Sequence, residues 1–169
     1  MYHVILSGGS GTRFWPMSTQ NKPKQLIKIV KEKTMIRLTV NRIKKIADTK
    51  YILIIASNFL CKQIQKEIPE IPKKNYIIEP SPKNTAPAIA LAAINVLQRD
   101  LNAVMIIHPS DHMISGNKHF KKSINKGIEF AKNESALITL GIKPTYSSTA
   151  YGYIKYDSKD IPNYNGILK

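Results

Sequence analysis

Cysteine, arginine, acidic residues and long apolar runs are all scarce in this sequence, and each scarcity excludes a class of protein. Cys61 is the sole cysteine, so no disulfide can form within the chain. This favours a reducing compartment, and we expect a cytoplasmic location. No apolar run approaches the roughly 18 residues of a membrane span. Residues 2–7 are too short for a signal peptide and no basic start precedes them, so we expect no membrane partner.

The few acidic residues leave the chain strongly basic. It has 11 aspartates and glutamates against 26 lysines and arginines, and a net charge of +15. Such charge raises nucleic acid as a partner. Proteins that read bases and phosphates usually rely on arginine forks, however, and only four of these basic residues are arginines. The lysines are scattered along the chain, so we expect a solvated surface and no nucleic-acid partner, with nucleic-acid binding kept as an alternative.

Strand and helix patterns alternate along the 169 residues, which are enough for one domain with a core. Apolar and β-branched runs predict strands at 2–7, 51–56, 76–79, 103–108 and 136–140. Helical patterns lie at 35–47 (capped by Thr34), from Asn58 to before Pro69, at 86–99 (capped by Thr85) and at 117–133. The strands are apolar almost throughout, which is typical of a sheet covered on both faces. The expected fold class is therefore α/β, a three-layer sandwich around a mostly parallel sheet.

A glycine-rich turn, "SGGSGTRFWP", directly follows the first predicted strand. None of Gly8, Gly9 or Gly11 is followed by the Gly-Lys-Ser/Thr ending of a P-loop. A dinucleotide fingerprint beginning at Gly9 would need a third glycine where Phe14 stands, and a bulky ring there blocks close helix–strand packing. Both familiar phosphate loops are excluded by spacing.

Two cations remain beside this turn, Arg13 and Lys24. Glycines let backbone N–H groups approach phosphate oxygens, an arginine offers forked donors, and a lysine adds a mobile charge. Phosphoryl and nucleotidyl transfer depend mainly on such positioning and charge neutralisation. A plain glycine turn with two surface cations is the alternative that spacing alone leaves open.

Four motifs in order carry a family resemblance. They are "GGSGTRFWP" with the following "KPKQ", "EPSPKNTAPAIALAA" at 79–93, "HPSDH" at 108–112 and "GIKPTYSSTAYGYI" at 141–154. Together they resemble the sugar-1-phosphate nucleotidylyltransferases, and the tryptophan and "PKQ" are most similar to the mannose-1-phosphate guanylyltransferases. The resemblance implies a Rossmann-like nucleotidyltransferase fold and an enzyme that converts GTP and mannose 1-phosphate to GDP-mannose and pyrophosphate.

The resemblance also implies residue roles on the nucleotide side. Arg13 would stabilise the departing pyrophosphate and Lys24 would contact the phosphates near the reacting phosphorus. Nucleotide-binding roles fall to Gly8, Gly9, Gly11 and Thr12, which would wrap the triphosphate, and to Glu79, Asn84 and Thr85. A carboxylate at Glu79 can accept from guanine N1–H and the exocyclic amine, a pattern that adenine lacks. Main-chain groups are the alternative readers of the base.

Asp111 follows an apolar strand, where α/β sheets place their ligand sites. A lone carboxylate beside phosphates suits Mg²⁺, and the resemblance assigns that cofactor to Asp111. Turn formation or helix capping is the alternative role. His108 and His112 flank it at a zinc-like spacing, but no third ligand lies nearby and Pro109 breaks any shared helix face, so we expect both histidines to be structural.

The last motif implies a sugar site at Tyr151 and Gly152, with Tyr153 beside them. Two positions depart from the family pattern: Ala150 stands where a glycine is usual and Ser148 where an acidic residue is common. An alanine at a positive φ would be strained by about 1 kcal/mol or more. These departures bear on how a sugar would be positioned.

The resemblance implies that the nucleotidyltransferase domain continues beyond this length, with a phosphate-binding lysine motif and a second metal-binding aspartate. We therefore expect residues 1–169 to be the N-terminal portion of a single, truncated domain. We expect nucleotide binding with impaired catalysis, and a homo-oligomer or a complementing downstream fragment as a partner. The alternatives are a related enzyme for another base or sugar, and an inactive nucleotide-binding subunit.

Overall fold

A computed structural model of the protein describes residues 1–9, 15–19, 23–134, 136–149 and 151–155. It divides into two compact units, residues 1–117 and 118–169. The strands are β1 (Tyr2–Leu6), β2 (Lys28–Val30), β3 (Lys33–Thr34), β4 (Ile52–Ala56), β5 (Tyr76–Ile78) and β6 (Met105–Pro109). The α-helices are α1 (Met35–Ile43), α2 (Asn58–Glu67), α3 (Thr85–Leu97) and α4 (Asn117–Glu134). None of the helices found in the described ranges is long and apolar enough to cross a membrane.

The first unit is built on a parallel four-stranded sheet in the order β5-β4-β1-β6. In the register, Ile5 lies between Ile54 of β4 and His108 of β6. Parallel neighbours require crossover connections, and α1, α2 and α3 lie in those connections along the chain. The predicted strands at 2–7, 51–56, 76–79 and 103–108 are confirmed to within two residues.

Two apolar clusters cover opposite faces of this sheet. One joins alternate strand residues such as Ile5 and Ile54 to α1 and α2, through side chains such as Val40 and Ile64. The other joins the intervening strand residues to α3; its members are Tyr2, Val4, Leu53, Ile55, Ile77, Ala88, Ala92 and Val96. Because strand side chains alternate between faces, a strand buried on both sides must be apolar throughout. The predicted three-layer α/β architecture is confirmed.

The helix starts differ in detail from the sequence expectations. Thr34 caps α1 as predicted, accepting from the backbone N–H of Arg37. α2 begins at Asn58 and ends before Pro69, as predicted, and its cap is Ser57, whose hydroxyl accepts from the N–H of Leu60. Thr85 is the first helical residue of α3, and Asn84 occupies the cap position with a positive φ of 65°.

The second unit contains α4, which confirms the predicted helix at 117–133. The strand predicted at 136–140 is absent: these residues have no regular structure, and Leu137 is fully exposed. A strand forms only where a neighbour takes its backbone hydrogen bonds. Among the described residues, this segment has no such neighbour. The apolar pattern of residues 136–140 was therefore not sufficient to predict a strand.

Candidate functional site

The carboxyl ends of β1 and β6 lie side by side, so the turns that follow them are neighbours. Leu6 pairs with Pro109 in the register, and the N–H of Ser110 donates to the carbonyl of Leu6 over 3.1 Å. The glycine turn thus begins next to the turn that carries Asp111. Ligand sites of parallel α/β sheets form at this edge.

A buried glutamine holds the start of the glycine turn. Gln25 lies in a short 3-10 helix, Lys24–Leu26, and its side chain is fully buried. Its amide Nε2 donates to the carbonyls of Ser7 and Gly8, over 2.7 and 3.0 Å. The prediction of site residues missed Gln25, although it ends the "KPKQ" stretch. An amide that clamps two backbone carbonyls is visible only in three dimensions.

Loss of this clamp is expected to destabilise the first unit. In a Gln25→Leu variant the volume is kept, but two carbonyls lose their donor, which costs about 1–3 kcal/mol of unfolding free energy. Gln98→Leu makes the same change at an exposed position and should stay within about 0.5 kcal/mol of the parent. Urea unfolding followed by circular dichroism measures both. Equal stability of the two variants would show that the clamp carries no net energy.

Glu79 lies against the glycine turn. Its backbone N–H donates to the carbonyl of Ala56 over 2.9 Å, which places it at the carboxyl end of β5. A Cβ built on Gly8 would lie 3.2 Å from Oε2 of Glu79, so a glycine at this position leaves room for the carboxylate. Gly9 has a φ of +97°, a conformation that residues with a side chain rarely adopt.

Lys24 and Asp111 form an ion pair at this edge, in the turns near the ends of β1 and β6. The Lys24 Nζ is 2.5 Å from Asp111 Oδ2, and each side chain is 22% exposed. Burial raises the pKa of Asp111, but the hydrogen bond and charge of Lys24 outweigh this effect and hold that pKa below its ordinary value. The carboxylate is therefore ionised at neutral pH and already carries a cation.

Two residues of α1 support the backbone around Asp111. The Thr39 hydroxyl donates to the carbonyl of Ser110 over 3.2 Å. The Arg42 guanidinium donates to the carbonyl of His112 over 3.3 Å and to the Thr39 hydroxyl over 3.2 Å. Both side chains are buried. The backbone carbonyls on either side of Asp111 therefore accept hydrogen bonds from α1, which fixes the turn that carries Asp111 to that helix.

A histidine pair lies within the sheet behind this edge. Nδ1 of His3 is 2.9 Å from Nε2 of His108, and the two buried rings are stacked with centroids 5.2 Å apart. Burial and the nearby N-terminal amine lower the pKa of His3 to about 4. Burial, with the charges of His3 and Arg42, lowers the pKa of His108 to about 3. Both rings are neutral at pH 7, which agrees with a structural role for His108.

In the part of the chain that the structure describes, no zinc-type cluster accompanies these histidines. Within the described ranges, no group of three or more histidine, cysteine or acidic side chains could hold a metal ion. The backbone carbonyl of His112 accepts from Arg42, and its side chain is exposed. Asp111 and Glu79 are the two carboxylates that the structure places near the glycine turn.

The other predicted nucleotide residues are distributed as follows. Asn84 and Thr85 are exposed at the start of α3, where the first backbone N–H groups of a helix lack intrahelical partners. Gly8, Gly9, Glu79, Lys24 and Asp111 come together at the sheet edge. Gly11, Thr12 and Arg13 lie outside the described residues, as does Ala150.

The predicted sugar residues lie in the second unit, beside a cluster of tyrosines. The hydroxyls of Tyr146 and Tyr151 are 3.2 Å apart. The Tyr153 hydroxyl accepts from the N–H of Ser148 over 2.9 Å and donates to its carbonyl over 3.0 Å. Gly152 has open space where a side chain would stand. An open cavity of about 550 Å³ is lined by residues 144–149 and Tyr153.

Comparison with known proteins gives relatives over most of the chain. Mannose-1-phosphate guanylyltransferase of Escherichia coli is 36% identical over 156 residues, which are 90% of this chain and 33% of the relative. Xanthan biosynthesis protein XanB of Xanthomonas campestris pv. campestris (strain ATCC 33913) is 36% identical over 154 residues, covering 90% of this chain and 32% of that protein. The chain thus spans about a third of the length of the curated relatives it matches.

A solved structure and a family model agree with the fold. The crystal structure described as mannose-1-phosphate geranyltransferase from Thermus thermophilus matches with a TM-score of 0.68 and 22% identity, over 78% of this chain and 38% of that one. At that identity it supports the fold alone. The family model for nucleotidyl transferases matches residues 2–164. The chain therefore belongs to the nucleotidyl transferase family.

Proposed function

We propose that the first unit binds GTP at the carboxyl edge of its sheet, as part of an enzyme that transfers the guanylyl group to mannose 1-phosphate. The products are GDP-mannose and pyrophosphate. The observation that carries the proposal is the meeting of the glycine turn, the Lys24–Asp111 pair and the Glu79 carboxylate at one edge. The names of the E. coli and other bacterial relatives support the base and the sugar.

Each residue in this arrangement has a role in the proposed reaction. The backbone of Gly8 and Gly9 approaches the triphosphate, and Glu79 reads the guanine edge. Lys24 offsets negative charge that builds on the phosphates during in-line attack by the sugar phosphate, and Arg13 does the same for the leaving pyrophosphate. Removal of one such donor typically lowers the rate about 10²–10³-fold.

Asp111 fits a magnesium ion that is bound mainly through substrate phosphates. Mg²⁺ keeps several waters and takes one or two protein carboxylates together with phosphate oxygens, so a single ionised carboxylate beside the glycine turn is an appropriate protein ligand. When bound, the ion supplies Lewis-acid stabilisation of charge on the phosphates. Asp111 would be the protein ligand of this ion at the edge of the sheet.

The tyrosine cluster is proposed to serve the sugar side. Tyr151 and the open backbone at Gly152 offer a hydroxyl and main-chain groups to hexose hydroxyls. The chain spans about a third of the length of its relatives, and we propose that residues 1–169 form part of one nucleotidyltransferase domain. A cytoplasmic location is consistent with the free, buried Cys61.

Nucleotide titration tests the proposal. Trp15 is the sole tryptophan and is 77% exposed six residues after Gly9, so its fluorescence reports binding near the turn. We expect saturable binding of GTP with Mg²⁺ and at least about 100-fold weaker binding of ATP, UTP and dTTP, because a site built for guanine donors leaves polar groups unpaired with other bases. Preference for UTP or dTTP would identify a related enzyme instead. Failure of every nucleotide to bind would refute the proposal.

A further inference from the structure

We propose that the Lys24–Asp111 ion pair is an exchangeable lock on the nucleotide site. In the structure the lysine ammonium pairs with the carboxylate that is proposed to hold the metal. When GTP and the divalent cation arrive together, Lys24 leaves Asp111 for a phosphate oxygen and the carboxylate becomes free for the cation. This inference rests on the proposed function and adds how its two charged residues exchange partners.

The geometry shows that the carboxylate is not freely available. The Lys24 ammonium donates a charge-assisted hydrogen bond to Oδ2 of Asp111, and both side chains are more than three-quarters buried. A cation that approaches Asp111 must compete with the ammonium group. A phosphate that approaches Lys24 must likewise compete with the carboxylate.

The surrounding contacts confine the exchange to side chains. Gln25 fixes the helical turn that carries Lys24 to the carbonyls of Ser7 and Gly8. Thr39 and Arg42 hold the carbonyls on either side of Asp111. With both backbones held, the flexible four-carbon stem of the lysine is the part that can reorient. Lys24 can therefore change partners without disturbing the fold.

A shared pair of this kind couples the two ligands. The cation alone would leave Lys24 partly buried without a counter-ion, and the nucleotide alone would leave Asp111 in the same condition. Both ligands together satisfy both residues, so each strengthens the binding of the other. Coupling between sites typically amounts to about 5–150-fold in affinity. The Lys24–Asp111 pair thus favours the metal–nucleotide complex over either component.

Binding of Mn²⁺ to the nucleotide-free chain tests the lock directly. Mn²⁺ is measured by water-proton relaxation, in the parent and in Lys24→Met. We expect the variant to bind Mn²⁺ about 10-fold more tightly, because the internal competitor is gone. Lys28→Met is the matched control, since Lys28 pairs with Glu32 in an exposed i,i+4 pair, and it should not change the affinity. Unchanged or weaker binding in Lys24→Met would overturn the inference.

The reciprocal variant keeps the test independent of how well Lys24→Met folds. In Asp111→Asn the lysine is released, so metal-free GTP, titrated in EDTA by Trp15 fluorescence, should bind about 10-fold more tightly than to the parent. Added Mg²⁺ should increase the GTP affinity of Asp111→Asn by less than it increases that of the parent. If the pair were purely structural, Lys24→Met would bind Mn²⁺ more weakly than the parent and Asp111→Asn would bind metal-free GTP more weakly. If the parent binds Mg²⁺-GTP but Asp111→Asn shows no gain for metal-free GTP, the exchange fails and the proposed function stands; if the parent binds no GTP, the proposed function itself fails.

Discussion

Between pH 7.5 and pH 5 the free energy of unfolding is expected to fall by about 4 kcal/mol, through the His3–His108 pair. The folded pKa values, about 4 and about 3, lie below the ordinary value of 6.5. In this range the unfolded chain binds more protons than the folded chain. Stability is therefore complete above pH 6.5 and is lost as the pH falls towards the two folded values.

The size of this loss matters because single domains are stable by only about 5–15 kcal/mol. Each histidine contributes roughly 1.4 kcal/mol per pH unit below its unfolded pKa, until its folded pKa is reached. Protonation of either ring in the folded protein is unfavourable. The rings are buried and stacked, and Arg42 and the N-terminal amine place further positive charge nearby. Asp111 and Glu70, whose pKa values are lowered, add their own loss only at lower pH.

Urea unfolding at pH 7.5, 6.5 and 5 measures the dependence. His108→Gln removes one titrating ring and keeps a hydrogen-bonding side chain, so about half of the fall should disappear. His119→Gln changes an exposed histidine of α4, and this variant should show the same dependence of unfolding free energy on pH as the parent. If His108→Gln and the parent lose stability in parallel over this range, the buried pair is not the origin of the effect.

The strands of the sheet could be predicted because burial on both faces requires apolar residues throughout a strand, and this pattern is visible in the sequence. β1 and β4 are buried on both faces and accordingly read as continuous apolar runs. Residues 136–140 have a similar pattern and form no strand, since pairing depends on a neighbour that local pattern does not specify. Periodicity therefore predicted which segments are suited to strands, and the presence of a partner decided which of them became strands.

The sequence predicted that the glycine turn and Asp111 lie near one another, but it did not predict the side-chain contacts between the residues of the candidate site. The rule that ligands bind at the carboxyl ends of parallel strands brings the glycine turn and Asp111 together. The direct pairing of Lys24 with Asp111, 87 residues apart, depends on side-chain geometry that no spacing encodes. The same holds for the Gln25 clamp and for the partner of His108, since His3 reads simply as one residue of an apolar strand.

The second large expected effect is on base recognition. Glu79→Gln should weaken the binding of Mg²⁺-GTP by about 10–100-fold, because a hydrogen bond to a charged group contributes about 1.5–3 kcal/mol. The amide replaces one acceptor oxygen with a donor that faces the guanine donors. Glu129→Gln removes the same charge from an exposed position on α4 and should bind GTP like the parent. Fluorescence titration of Trp15 measures all three proteins.

Inosine triphosphate separates base reading from general electrostatics. It keeps N1–H and lacks the exocyclic amine, so the parent should bind it more weakly than GTP. In Glu79→Gln the preference for GTP over inosine triphosphate should largely vanish. If the ratio is the same in both proteins, main-chain groups read the base and the effect of Glu79 on affinity has another cause.

A substitution at Gly8 independently tests whether Glu79 contacts the guanine base. A methyl group at this position would lie 3.2 Å from Oε2 of Glu79, so the carboxylate must shift by a few tenths of an ångström in Gly8→Ala. Hydrogen bonds weaken steeply as their geometry departs from linear. We therefore expect Gly8→Ala to lower the same GTP-to-inosine-triphosphate ratio, by less than Glu79→Gln does. Gly141→Ala adds a methyl group to open space and should leave the ratio unchanged. A lowered ratio in both Glu79→Gln and Gly8→Ala would identify the position of the carboxylate, and not only its charge, as what selects guanine.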